Sequence, residues 1–163
     1  MRILFKVIGT FPLWLLYQVA YLLSILARFI YRPKVVLANL KVAFPEKSTA
    51  EIGKIKRQFY RNFMEIVVEV LKTVSISEKE LNKRVRLVNP QLLEQEYQNG
   101  NSVMIFASHF CNWEWAAHAV SLQTSYQLDP VYKIQANQVL DQFMYQIRSC
   151  SGGTPIPKEN AVR

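Results

Sequence analysis

The chain has 163 residues, of which 50% are hydrophobic and 20% are charged, and its formal net charge is +8. This length suits one domain with a hydrophobic core, and its two cysteines, Cys111 and Cys150, are too few for a disulfide-stabilised scaffold. A basic chain favours nucleic acid or an anionic membrane as partner, but the sequence holds no recognised DNA- or RNA-binding motif. We therefore expect no nucleic-acid partner.

The first predicted element is an apolar run of 21 residues without a formal charge, from Val7 to Ala27. As a helix it would be about 31 Å long at 1.5 Å per residue, which matches the hydrocarbon core of a bilayer. No small-x-small cleavage pattern stands before Arg28, so we predict an uncleaved membrane anchor. Pro12 and Gln18 interrupt the run, and a buried core helix or an interfacial helix stays an alternative.

Basic charge surrounds this run. Residues 1–90 contain 16 Lys and Arg and 6 acidic residues, a net charge of +10, whereas residues 91–163 contain 4 and 6, a net charge of −2. The basic residues nearest the run are Arg2, Lys6, Arg28, Arg32, Lys34 and Lys41. Such a flank favours anionic lipid headgroups, and its heavier part after residue 27 favours a main body on the cytoplasmic side. We assign residues 1–34 to a membrane anchor with a basic flank.

A long amphipathic helix is predicted after the Tyr31-Arg32-Pro33 break. Ser48-Thr49-Ala50-Glu51 fits a capping box, and apolar residues recur at helical spacing from Glu51 to about Val74. The polar face contains Lys54, Lys56, Arg57 and Arg61. Two interpretations of these charges stay open, a solvated face and a surface that meets lipid or an acyl carrier.

The remaining elements alternate between helices and strands. The predicted helices cover residues 78–82, 91–98, 113–122 and 137–149, and the predicted strands cover residues 85–88, 102–107, 128–132 and 154–157. Asn99-Gly100 is a plausible helix end. This order predicts an α/β fold, in which a membrane-anchoring helix precedes a mixed, partly parallel sheet with flanking helices.

The strongest chemical signal is an H-x4-E pattern in the turn after the predicted strand 102–107. The strand would deliver His109 to the turn, and Asn112 would cap the next helix, which places Glu114 in its first turn. A histidine that is stabilised by a carboxylate can act as a general base towards a hydroxyl. The acceptor hydroxyl would then attack an acyl donor directly, without a serine or cysteine nucleophile and without a cofactor.

A zinc site is the competing interpretation of this turn. His109, Cys111 and His118 are potential ligands, but they lack a fourth ligand and a standard zinc spacing. We therefore predict no metal site. His118 stands four residues after Glu114 on the same helix and is expected to be a packing or capping residue.

Several landmarks in order resemble the bacterial lipid A biosynthesis acyltransferases, the lauroyl and myristoyl transferases that complete the lipid anchor of lipopolysaccharide. They are the N-terminal apolar anchor, Tyr31-Arg32-Pro33, Asn39-Leu40 with Phe44-Pro45-Glu46, Ser108-His109-Phe110-Cys111-Asn112-Trp113-Glu114, Val131-Tyr132-Lys133, Asn137, Asp141, and Arg148 with Gly152. The resemblance covers nearly all of the chain but only about the first half of a family member. Residues 35–163 would then be the N-terminal part of an acyltransferase domain with an incomplete sheet, and we expect little or no transferase activity from the 163-residue chain alone.

The resemblance implies transfer of a fatty acyl chain from acyl carrier protein to a hydroxyl of a lipid A precursor or another glycolipid. The reaction would take place at the cytoplasmic face of the bacterial inner membrane. By the same resemblance His109 is the general base and Glu114 its orienting carboxylate. Arg148 would bind a phosphate or the developing oxyanion, and Lys133 an anionic group. Cys150 stands where the family often has a second arginine.

Two other functions stay open. The chain could act by the same mechanism on another membrane lipid, because no residue separates the acceptors. It could also be a membrane-bound interaction module or a remnant without catalysis, in which His109 and Glu114 form only a structural pair.

Overall fold

A computed structural model describes the backbone of residues 2–161 and the side chains of residues 5–161. Two residues named in the sequence predictions lie outside this described part: the side chain of Arg2, in the basic flank, and Arg163, at the end of the predicted domain. Eight helices lie in it: α1 Arg2–Thr10, α2 Leu13–Ile30, α3 Pro33–Ala43, α4 Thr49–Lys72, α5 Glu78–Arg84, α6 Pro90–Gln98, α7 Trp113–Gln123 and α8 Gln138–Ser149. Two short strands, β1 Val131–Tyr132 and β2 Ile156–Pro157, complete the elements.

The chain divides into two compact units. One unit is Phe11–Glu69, and the other combines Met1–Thr10 with Val70–Arg163. The first unit contains α2, α3 and most of α4, and the second contains α1, α5 to α8 and both strands.

The predicted N-terminal helix is interrupted at Pro12. Proline has no backbone N–H to continue the helical hydrogen bonds of α1, and its carbonyl instead accepts from the N–H groups of Leu15 and Leu16, at 3.0 and 3.1 Å. The continuous helix predicted from Val7 to Ala27 is therefore wrong. The apolar helix of the structure is α2, which is about 27 Å long at 1.5 Å per residue.

Among the described residues, α2 is the one helix long and apolar enough, by length and composition, to cross a membrane. Only five of its 18 residues are buried. The buried stripe recurs every three or four residues and contains three small side chains: Leu13, Leu16, Ala20, Ser24 and Ala27. An apolar N-terminal helix with most of its surface exposed is consistent with membrane association.

Contacts with α4 cover the buried stripe of α2 at both of its ends. The Tyr17 hydroxyl donates to Glu69 Oε1 at 2.7 Å. At the other end the fully buried Tyr60 donates its hydroxyl to the Tyr31 carbonyl at 2.7 Å, and the Tyr31 ring stacks on Phe63 with 5.1 Å between ring centroids. These contacts fix α2 and α4 within the first unit.

The capping predictions are confirmed. Ser48 Oγ accepts from the Glu51 N–H at 3.3 Å, and Glu51 Oε2 accepts from the Ser48 N–H at 2.9 Å, which together form the predicted capping box of α4. Gly100 has φ +75° and closes the end of α6, where its N–H donates to the Tyr97 carbonyl at 3.0 Å. Helix α3 was not predicted, although Pro33 stands at its first position, where proline is favoured.

The sheet is much smaller than the sequence predicts. Strands β1 and β2 pair in parallel, with Val131 opposite Ile156 and Tyr132 opposite Pro157, and α8 connects them. The predicted order of strand, helix and parallel strand at residues 128–157 is thus present in short form. The ladder is held by the Ile156 N–H, which donates to the Pro130 carbonyl at 2.9 Å, and by the Lys158 N–H, which donates to the Tyr132 carbonyl at 2.8 Å.

Two predicted strands, residues 85–88 and 102–107, are not strands in the structure. The Gln123 side chain accepts from the Leu87 N–H at 2.9 Å and donates to the Val85 carbonyl at 2.7 Å, so it takes backbone groups that a sheet ladder would use. Residues 102–107 are exposed, with Met104 at 78% and Phe106 at 87% of their full exposure. A strand requires a neighbour to pair with, and β1 and β2 do not pair with this segment.

Candidate functional site

The candidate site lies in the second unit, where the first turn of α7 faces the last turn of α8. Asn112 caps α7 as predicted, because its Oδ1 accepts from the Trp115 N–H at 3.0 Å. Asn137 caps α8 in the same way, with Oδ1 accepting from Val139 and Leu140. The buried side chains of Trp115, Phe143 and Ile147 belong to these two helices.

Glu114 is buried and paired with Arg148. Arg148 Nη2 donates to Glu114 Oε1 at 2.6 Å, and Arg148 Nε lies 3.1 and 3.2 Å from the two carboxylate oxygens. Their side chains are 6% and 17% exposed. The short distances and the double contact define a charge-assisted pair in a fixed geometry.

His109 lies beside this pair but is not hydrogen-bonded to it. Its ring is exposed and packs against Trp113, with 4.8 Å between ring centroids, and the Trp113 Nε1–H donates to Glu114 Oε1 at 3.2 Å. Within the described residues Glu114 makes no hydrogen bond with His109. The structure therefore brings Glu114 and Arg148 together and places Trp113 in contact with both His109 and Glu114.

The turn that carries His109 has an unusual backbone. Cys111 has φ +51°, in the left-handed region that residues other than glycine rarely adopt. Cys111 and the neighbouring Phe110, at 79% exposure, both face outward. The histidine thus stands on an exposed turn directly before α7.

Lys133 is separate from the ion pair. It is exposed just after β1, and its carbonyl accepts from the Gln135 side chain at 2.9 Å. The neighbouring Tyr132 provides a link to the site, because the Arg148 guanidinium carbon lies 5.6 Å from the centre of its ring. The structure gives Lys133 no direct contact with Glu114 in the described part of the chain.

His118, which the sequence assigned to packing or capping, is buried and hydrogen-bonded. Its Nδ1 lies 2.7 Å from Ser151 Oγ, and Cys150 Sγ lies 3.6 Å from both ring nitrogens. Burial lowers the pKa of His118 below 6.5, against the opposing effect of the Glu114 charge, and burial raises the pKa of the Cys150 thiol. Ser151 carried no sequence signal, because its contact depends on the end of α8 approaching α7.

A small cavity separates His118 from the ion pair. Glu114, His118, Arg148 and Ser151 are among its lining residues, and its volume is about 10 Å³. This is room for about one water molecule, so a fatty acyl chain does not fit there.

The described residues contain no group of three or more His, Cys, Asp or Glu side chains that could hold a metal ion. His118 is buried against Ser151, whereas His109 and Cys111 are exposed on the preceding turn. The exposed imidazole of His109 offers acid–base chemistry, and the paired charges of Glu114 and Arg148 offer charge stabilisation.

Comparison with known proteins identifies the family. The model of the bacterial lipid A biosynthesis acyltransferases matches residues 1–163. The chain belongs to this family. Comparison with curated proteins and with solved structures gives no significant match. Membership in an acyltransferase family implies a transferase reaction, with an acyl donor and a lipid A precursor as substrates.

Proposed function

We propose that this protein is an O-acyltransferase that moves a fatty acyl chain from acyl carrier protein to a hydroxyl of a lipid A precursor, at the cytoplasmic face of the bacterial inner membrane. The observation that carries the proposal is the match of the whole chain to the lipid A acyltransferase family. The exposed histidine beside a buried carboxylate and the exposed apolar helix α2 support it.

In the proposed reaction His109 is the general base. Its imidazole takes the proton from the acceptor hydroxyl while the hydroxyl oxygen attacks the thioester carbonyl of the donor. The carbon–sulfur bond then breaks, the imidazolium returns the proton to the carrier thiolate, and an ester remains on the acceptor. No cofactor takes part in these steps.

Glu114 has the role of stabilising the charged histidine. Arg148 and Trp113 hold its carboxylate in one orientation. Glu114 is the second residue of α7, and this helix directly follows the turn that carries His109. Catalytic hydrogen bonds are often long without substrate and shorten in the complex. We therefore propose that His109 approaches this carboxylate when donor and acceptor bind.

Arg148 and Lys133 are the proposed contacts for anionic groups. Arg148 uses Nε and Nη2 on Glu114, and within the described residues its Nη1 has no hydrogen bond. A guanidinium has five N–H donors, so donors remain for a phosphate or a developing oxyanion. Lys133 is exposed directly after β1 and is proposed as a second cation for an anionic group.

We also propose that residues 35–163 are the first part of an acyltransferase domain with a larger mixed sheet. The β1–α8–β2 unit supports this because its parallel crossover is typical of α/β folds. The exposed apolar residues Met104 and Phe106 support it too, since they lack the neighbours that a strand with their sequence would have in a sheet.

Mass spectrometry of lipid A tests the function. Deletion of the encoding gene is expected to remove one acyl chain from lipid A, and the wild-type gene to restore it. His109→Ala and Glu114→Gln, made at the genomic position, are each expected to give the deletion pattern. Cys111→Ala, in the same exposed turn, is the matched control and is expected to give the wild-type pattern.

Protein abundance and protease resistance of each variant separate lost chemistry from lost folding. Unchanged lipid A in the deletion strain would contradict the lipid A acceptor. Normal acylation by a folded His109→Ala variant would contradict its role as base, and would favour a structural role for Glu114 with Arg148.

A further inference from the structure

A basic groove lies within the first unit, at the C-terminal end of α2. It has a volume of about 380 Å³, and its lining residues come from α2, α3 and α4: Arg28, Phe29, Pro33, Gly53, Lys56 and Arg57. Three of them are cationic and Phe29 is aromatic. The groove therefore offers both positive charge and apolar surface.

In the part of the chain that the structure describes, no carboxylate pairs with the cationic groups of this groove. Arg28 Nε is buried without any hydrogen bond, although a buried donor without a partner is costly. Within the described residues none of the three cations lies within 4.0 Å of a carboxylate. Arg61, further along the same helix α4, is paired with Glu65 at 2.9 Å. The groove thus concentrates positive charge that an anion would neutralise.

Gly53 leaves space for a ligand in the wall of the groove. A Cβ at this position would lie 3.7 Å from Arg57 Nη1, so the guanidinium extends over the glycine. Glycine in a helix interior is unfavourable relative to alanine. Here its lack of a side chain keeps room beside Arg57 and Lys56.

We propose that this groove binds the phosphate headgroup of an anionic glycerophospholipid. Arg28, Lys56 and Arg57 contact the phosphate, and Phe29 contacts the lipid chains. The position supports a lipid occupant, because the groove adjoins the last turn of α2, where Phe29 and Ile30 are 76% and 78% exposed. If α2 enters the bilayer, these residues lie next to the headgroup layer, where basic side chains bind anionic lipids.

The groove shares no residue with the proposed catalytic site, since all of its residues belong to the unit Phe11–Glu69. Native mass spectrometry of the whole chain in neutral detergent tests it, with equal amounts of phosphatidylglycerol and phosphatidylcholine added. The wild-type chain is expected to retain phosphatidylglycerol in preference to phosphatidylcholine. A Lys56→Ala/Arg57→Ala variant is expected to retain about tenfold less phosphatidylglycerol.

The matched control is Lys79→Ala/Lys83→Ala. These two exposed residues lie on α5 in the other unit, and their replacement removes the same charge. This control is expected to retain phosphatidylglycerol as the wild type does. Arg57→Glu, at an exposed position, provides the same test if the double groove variant does not fold.

Four results would overturn the proposal. Equal retention of the two phospholipids by the wild-type chain would show that it does not prefer phosphatidylglycerol. Equal losses of phosphatidylglycerol in both double variants would show that its retention depends only on net charge. Displacement of bound phosphatidylglycerol by inorganic phosphate alone would assign the groove to a free anion. If the groove variant loses cross-linking to acyl carrier protein while keeping phosphatidylglycerol, the groove belongs to the carrier instead.

Discussion

The Glu114 carboxylate is the most strongly held charged group of the candidate site. It is 4% exposed, and it accepts hydrogen bonds from Arg148 and Trp113. Removal of one partner from a buried ion pair leaves the other charge uncompensated, which costs more than the pair itself contributes. Arg148 is thus needed to keep Glu114 charged and buried.

We predict that Arg148→Met lowers the free energy of unfolding by about 3 kcal/mol, because Glu114 loses its counter-charge in a buried position. Arg148→Lys is expected to lower it less, since an ammonium keeps the charge but loses the planar double contact. Unfolding of the purified variants in neutral detergent, followed by circular dichroism, measures both changes.

The control for this prediction is Arg84→Met. Arg84 and Glu80 form a 2.8 Å pair whose side chains are 36% and 38% exposed. An exposed pair of this kind contributes less than about 1 kcal/mol. Equal losses in the Arg148 and Arg84 variants would show that burial of the Glu114 pair has no energetic consequence.

For single residues, the sequence proposed members of the candidate site but did not predict which of them contact each other. His109, Glu114 and Arg148 were all selected, and Glu114 was correctly placed in the first turn of α7. The Arg148 contact joins residues 34 positions apart, so it depends on how α7 and α8 pack. Sequence spacing alone did not show that Arg148 would be the partner of Glu114.

Among the helices and turns, two glycines differ in the space around them. Gly153 is buried, and a Cβ there would clash with the Leu128 carbonyl oxygen. Gly53 has no such neighbour, because its nearest contact would be Arg57 Nη1 at 3.7 Å. A methyl group therefore has space at Gly53 but not at Gly153.

We predict that Gly53→Ala raises the free energy of unfolding by about 0.5–1 kcal/mol, because alanine is favoured over glycine in a helix interior. Gly153→Ala is expected to lower it by more than about 1 kcal/mol, because the backbone must move to admit the methyl group. Unfolding of the purified variants in neutral detergent, followed by circular dichroism, compares the two free energies of unfolding. The same sign for both changes would contradict this interpretation of the two sites.

Helix ends followed from the sequence because they depend on residues within one turn. Ser48 with Glu51, Asn112 and Gly100 each act on backbone groups a few positions away. Strands did not follow, because they require a partner from a distant segment. At residues 85–88 the Gln123 side chain takes that place, more than 30 positions along the chain.

Over the whole molecule, the exposed apolar surface of α2 is the feature that most restricts where the protein can reside. Leu22 and Leu26 are 62% and 57% exposed, and the helix has few buried residues. A large exposed apolar patch is unfavourable in water and marks a membrane or protein contact. Together with the basic groove, this surface supports attachment to a membrane.

We predict that the chain stays in the membrane fraction after washes with high salt and with alkaline carbonate, because apolar burial holds it there. Leu22→Asp is expected to release a substantial fraction, since a carboxylate in the bilayer costs about 2.5–3.5 kcal/mol. Val88→Asp, at a position 86% exposed in the other unit, is the control and is expected to remain bound. Release of the wild-type chain by salt alone would limit the attachment to electrostatics.

The family, the apolar N-terminal helix, the basic flank and most helices follow from the amino-acid sequence, which also proposes the residues of the candidate site. These depend on composition, on periodicity and on neighbours within a few positions. Packing between distant segments pairs Glu114 with Arg148, leaves residues 102–107 outside the sheet, and brings Arg28, Lys56 and Arg57 into one groove. The reason is physical: each depends on contacts between segments distant in sequence, which local patterns do not specify.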